Sequence, residues 1–402
     1  MGGILLLEDG RSFRGEAFGA PATKVGEVVF NTAMAGYQEV LTDPSYREQI
    51  VVMTTAHVGN YGVNAQDTES DAVQVSGFVA RHFSPIASNH RATGTLADYL
   101  GAAGVPAVHG IDTRALVRHI RNKGAMRAVI STEDLTEAEL RARIDAWPGM
   151  VGRDLVTEVS TSTRYSFTEN LPEGTDVSMF GGALRGGFPP VPSLGRPRRI
   201  HVLDGGVKKN LLRLFVSAGC EVEVFPARTR AEELGDGADA IFLSNGPGDP
   251  AALPWMVGEI QKLLGKKPIL GVCLGHQLLG RALGADTFKL RFGHRGGNHP
   301  VRDSETGRVE ITSQNHGFCV DPAGVERAGG RVTHVNLNDG TLEGFVHADL
   351  GVICVQFHPE AAPGPNDSSH LVLDRFLRFA GAHASWGGGS PPATPPVPSK
   401  ES

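Results

Sequence analysis

The strongest constraint on this chain is a cysteine placed where a buried strand turns into a helix. Pro268 to Val272 is a short apolar run, the pattern of a strand covered on both faces. From Leu274 the apolar residues fall at helical spacing (Leu274, Leu278, Leu279, Ala282, Leu283), and Gly284 ends the run. Cys273 sits at the junction. A sharp strand-to-helix turn needs small neighbours, and Gly271 and Gly275 flank it. The thiol then projects from the start of a helix, where the helix N-terminus favours the thiolate over a thiol of ordinary pKa, ~8.5. A lone cysteine is more often plain core, so the reading depends on a partner.

That partner is His358-Pro359-Glu360, at the end of the apolar strand Val352 to Gln356. Residues i and i+2 of an extended chain point to one side, and Pro359 biases His358 toward extended backbone. The spacing sets a carboxylate beside an imidazole, as a nucleophile's base and its orienting acid require. A third segment, Ser244 to Pro250 (SNGPGDP), follows the apolar strand Ala240–Leu243. Alone it is an ordinary turn composition. One strand before the cysteine, its backbone N–H groups can be aimed at a developing oxyanion.

These segments resemble the class I, triad-type glutamine amidotransferases, whose motifs are G-x-C-x-G-x-Q and H-P-E. The N-terminal half narrows the resemblance. Gly26 to Tyr46 (GEVVFNTAMAGYQEVLTDPSY), His57 to Gly62 (HVGNYG), Gly110 to Leu116 (GIDTRAL) and Phe292 to Val301 (FGHRGGNHPV) are similar to the carbamoyl-phosphate synthetase small-chain family. The resemblance implies a nucleophile Cys273, a proton-transferring His358 and an orienting Glu360. It implies oxyanion donors at the Gly248 and Leu274 N–H groups, and glutamine held by Ser45, Gly246, Gln277, Asn315, Gly317 and Phe318. It implies a cytoplasmic hetero-oligomer with a large synthetase chain. That partner would bind ATP and magnesium and make carbamoyl phosphate from bicarbonate for pyrimidine and arginine biosynthesis, with this chain binding no cofactor or metal. Read without the resemblance, Asn315 to Phe318 is a loop after a strand, and 31–46 is a surface turn cluster. Two positions depart from the family, which usually has aromatic residues where this chain has His90 and Gly205. Neither touches the triad, and both bear on local packing.

The rest of the chain fits. At 402 residues, two or three domains are expected. The expected fold class is α/β: a mixed N-terminal unit over 1–155, a Ser/Gly/Pro-rich linker over 156–197, and a mostly parallel, doubly wound sheet over 198–384. Residues 385–402 read as a disordered tail. In the first unit, Ile4–Leu7, Gly26–Asn31 and Gln49–Met53 read as strands, Arg91–Leu100 and Thr113–Arg121 as helices. A net charge of −6 with no basic run argues against a nucleic-acid surface. No apolar run approaches the ~20 residues of a membrane span. The four cysteines form no C-x-x-C pair. His294, His299 and His316 lack a carboxylate or cysteine at ligand spacing and read as packing histidines. No G-x-x-x-x-G-K-[ST] occurs, so ATP would belong to the partner. Three rivals remain: an amidotransferase serving another synthase, a non-catalytic docking scaffold, and a cysteine hydrolase of γ-glutamyl peptides.

Overall fold

The computed structural model describes residues 2–172, 196–365 and 369–382. The disordered tail expected over 385–402, and most of the expected linker, lie outside them.

Seven strands of the N-terminal part close into a barrel, in the order Gly2–Leu7, Ser12–Gly19, Pro106–His109, Gly77–Val79, Gln49–Met53, Thr23–Asn31, Met126–Ser131. The last pairs with the first, Leu5 opposite Ile130. Closure removes the exposed edges that such short strands would otherwise present. Residues from all seven strands, among them Leu5, Phe13, Val28, Ile50, Val79, Val108 and Ala128, converge in one cluster with Leu116 and Ile120 of the helix Thr113–Lys123. The alternate residues Val29, Val51 and Phe78 turn outward to pack with Leu96 and Leu100. The expected helix over 91–100 begins only at Leu96, where the Thr95 side chain accepts from Asp98 N and caps it.

Among the described residues, the second body is a ten-stranded sheet. Its centre is parallel: Glu221–Pro226, Arg199–Asp204, Ala240–Leu243, Ile269–Val272 and Val352–Val355 lie side by side. Each successive residue faces the opposite layer, so Ile241, Leu243 and Ile269 meet Met256, Ile260, Leu278 and Leu279 on one side. Phe242, Leu270 and Val272 meet Leu211, Phe215, Phe376 and Leu377 on the other. That is the doubly wound arrangement expected from the β/α rhythm. Beyond Val352–Val355 the sheet continues antiparallel through Leu342–His347, Arg331–Asn336, Thr287–Asp303 and Val309–Val320. The segment read as linker contains the helix Val156–Val159 and the strand Tyr165–Phe167, which pairs antiparallel with Glu221–Pro226 at the sheet edge. Composition hid this strand because its one core residue is Phe167, while Tyr165 and Ser166 are exposed.

Candidate active site

The site lies outside the carboxyl ends of the central parallel strands, where open α/β sheets bind ligands. Ile269–Val272 delivers Cys273, and Val352–Val355 leads to His358. Cys273 has φ 54° and ψ −104°, a left-handed conformation that a side chain tolerates only under constraint. The constraint is close packing. A Cβ on Gly275 would stand 2.1 Å from the Leu243 carbonyl oxygen, and one on Gly271 would stand 2.7 Å from the Gly275 backbone. The helix Leu274–Ala282 therefore starts hard against the neighbouring strands, and the elbow cannot relax.

His358 and Glu360 are 1% exposed each. The His358 Nδ1 stands 2.7 Å from Glu360 Oε1, the contact that the i, i+2 spacing implied. Its Nε2 makes no hydrogen bond of ordinary geometry. Burial disfavours the imidazolium, but the charges of Glu360 and Cys273 outweigh it and hold the His358 pKa well up. Burial also opposes ionisation of Glu360, and there Lys208 and His358 prevail and hold the carboxyl down.

Lys208 was not singled out in the sequence. Its side chain is 3% exposed, and Nζ donates to Glu360 Oε1 at 2.7 Å and to the Ala361 carbonyl at 2.7 Å. Glu360 thus stands between two cationic groups on one oxygen. Only the tertiary fold buries Lys208, so no local signal marks it.

One cleft gathers Ser45, Gly246, Gly248, Cys273, Gln277, Asn315, Gly317 and Phe318, together with Glu27, Gln49 and Arg295. Leu274 follows Cys273 and is buried. Eight of the expected residues thus line one cleft, Leu274 adjoins Cys273 in the chain, and Cys273 acts on the charge of His358. Its free cavity is about 20 Å³, room for about one water molecule and far too little for an amino acid. The Cys273 Sγ stands 3.6 Å from the Asn315 carbonyl oxygen.

Two expectations need correction. Asn315 to Phe318 is not a loop but the middle of the strand Val309–Val320, which register shifts bend against its neighbour Thr287–Asp303. The 31–46 segment is not a surface cluster: residues 41–46 are buried, and the segment reaches the site. Asn245 Nδ2 donates to Ser45 Oγ at 3.0 Å, and Asn315 Nδ2 to Asp43 Oδ2 at 2.8 Å. Gly205 does not touch the triad, as expected, but it packs against the loops beside it. Its N–H donates to Ser244 Oγ at 2.8 Å, and a Cβ there would lie 3.3 Å from the Asn245 carbonyl and 3.4 Å from Leu274. His90 is exposed.

The fold does bring a carboxylate, Glu343, to the histidines: donor atoms of His294, His316 and Glu343 lie within 4.8 Å of one another. Glu343 and His294 are already engaged, while His316 Nε2 is buried without a hydrogen-bond partner. Glu343 accepts from Asn336 at 2.8 Å and from Gln314 at 3.0 Å, and His294 Nε2 is 2.8 Å from Asp339. Burial disfavours the His294 imidazolium, but Glu343 and Asp339 outweigh it and raise the His294 pKa.

A glycine-hemmed cysteine elbow and a buried His-Glu pair on a parallel sheet define a class I glutamine amidotransferase. Residues 201–377 match the family model described as glutamine amidotransferase class-I. Residues 5–130 match that of the carbamoyl-phosphate synthase small chain, CPSase domain. The chain is 48% identical over 385 residues to the carbamoyl phosphate synthase small chain of Syntrophotalea carbinolica, covering 94% of this chain and 97% of that one. It is 50% identical over 375 residues to the small chain of Rhodopirellula baltica, covering 92% and 94%. The chain belongs to the carbamoyl phosphate synthase small-chain family. Among the described residues no helix is long and apolar enough to cross a membrane.

Proposed function

We propose that this chain hydrolyses the side-chain amide of L-glutamine at Cys273 and passes the ammonia to a large synthetase chain. The Cys273 thiolate attacks the amide carbon, and the Gly248 and Leu274 N–H groups stabilise the oxyanion. Such a donor contributes roughly 3 kcal/mol. The tetrahedral intermediate collapses as His358 protonates the departing nitrogen, releasing ammonia and leaving a γ-glutamyl thioester. His358 then takes a proton from water, the hydroxide displaces the thiolate, and glutamate leaves. Glu360 orients the imidazole and stabilises its charged form.

The observation that carries this reading is the buried line Cys273, His358, Glu360, Lys208. A cationic His358 beside the cysteine is the acid that the leaving amide nitrogen needs. The family supports a partner that binds ATP and magnesium and uses the ammonia with bicarbonate, for pyrimidine and arginine biosynthesis in the cytoplasm. This chain would bind neither cofactor. The test is Cys273→Ser in the assembled enzyme. Glutamine-dependent carbamoyl phosphate formation is lost while ammonia-dependent formation survives. Glutamine hydrolysis near the parent rate would refute the triad.

A further inference from the structure

Among the described residues, no carboxylate pairs directly with the buried Arg295, although Glu27 acts on its charge. Arg295 is 3% exposed and forms no ion pair within 4.0 Å among the described residues. Its Nη1 donates to the Phe292 carbonyl at 2.8 Å, but its Nε is buried with no hydrogen-bond partner. Burying a guanidinium without a counter-ion costs several kcal/mol, so such groups are normally paired. The exception here lines the cleft that holds Cys273 and Gln277. A Cβ on Gly317 would stand 3.3 Å from its Nη2, so that glycine keeps the guanidinium face uncovered. Glu27, 5% exposed and bonded to Lys289, lines the same cleft.

Resting on the glutamine reading above, we propose that Arg295 receives the α-carboxylate of the substrate and that Glu27 faces its α-ammonium. The two charges lining the cleft then read the zwitterionic head of a free amino acid. A planar guanidinium pairs with a carboxylate through two parallel hydrogen bonds, a geometry that lysine cannot reproduce. This makes Arg295 a specificity residue. It selects free glutamine over amides without an α-carboxylate, including glutamine side chains whose α-carboxyl is tied in a peptide bond.

The experiment uses the assembled enzyme and two inhibitors of glutamine hydrolysis: glutaramate, which keeps the carboxylate and lacks the amine, and 4-aminobutanamide, which lacks the carboxylate. Arg295→Met raises the glutamine KM and the glutaramate inhibition constant roughly a hundredfold, the size of one hydrogen-bonded charge contact. The 4-aminobutanamide constant and kcat are unchanged. Arg295→Lys, the milder variant, raises the glutaramate constant roughly tenfold. If both inhibitors weaken equally, or if only kcat falls, Arg295 serves the structure or the thiolate and the proposal is overturned. If neither inhibitor weakens, it is also overturned. The glutamine reading itself fails only if the parent enzyme releases no ammonia from glutamine.

Discussion

Replacing Lys208 with methionine tests whether the fourth member of the catalytic line carries weight. Lys208→Met keeps the length of the side chain and removes an ammonium that holds two hydrogen bonds of 2.7 Å, one to Glu360 and one to Ala361. Breaking a buried ion pair by deleting one partner costs about 3–5 kcal/mol, because the surviving charge stays desolvated. His358 still stands 2.7 Å from Glu360, so the low end applies, about 3 kcal/mol. The loss is pH-dependent, with a definite sign. The folded-state pKa of Glu360 lies below its unfolded value, with Lys208 the largest of the lowering influences. Its contribution to stability is therefore present above the unfolded pKa, ~4.3, and is lost as pH falls through the folded one. Without Lys208 the depression shrinks. Urea unfolding at a series of pH values should show a gap of about 3 kcal/mol at pH 7 that narrows below about pH 4. Glutaminase kcat should fall with it. A gap below about 1 kcal/mol, or one that does not change with pH, would show that the pair is not the anchor of Glu360.

Three further outcomes follow from the same geometry. Glu360→Gln should lower kcat less than Cys273→Ser or His358→Asn, since it orients while the others make and break bonds; side-by-side turnover decides, and equal losses would refute an orienting role. Gly275→Ala should destabilise the chain by about 3 kcal/mol or more, because its Cβ would meet the Leu243 carbonyl at 2.1 Å; a melting temperature within a degree of the parent would contradict the elbow's close packing. The chain alone should hydrolyse glutamine slowly and speed up on titration with a large chain, ATP and bicarbonate. The cavity of about 20 Å³ beside Cys273 must open to admit substrate, and a partner that favours the open state raises its population. Equal rates with and without the partner would overturn this coupling.

What could be read in advance was whatever local chemistry dictates. The elbow required glycines, and they were visible. The His-x-Glu spacing gave the contact between His358 and Glu360. The parallel strands announced themselves as apolar runs buried on both faces. The barrel did not: Ser12–Gly19 buries only Phe13 and Phe18, and strands as short as Gly77–Val79 carry too few residues to show a period. Asn315 to Phe318 reads as a loop after a strand because asparagine and glycine usually mark one, whereas here they occupy a long strand bent by register shifts. Lys208 and Arg295 were illegible as buried charges, because burial of a single cation is decided by residues far away in the chain.

The hydrogen bonds from Asn245 to Ser45 and from Asn315 to Asp43 join residues some two hundred or more positions apart. A fragment starting at residue 198 would keep the whole triad yet lack one wall of its own substrate cleft. The glutaminase is thus a property of the pair of bodies rather than of either. Any rotation of the barrel against the sheet, whether from docking a partner or from a grafted domain, would reshape the cleft beside Cys273.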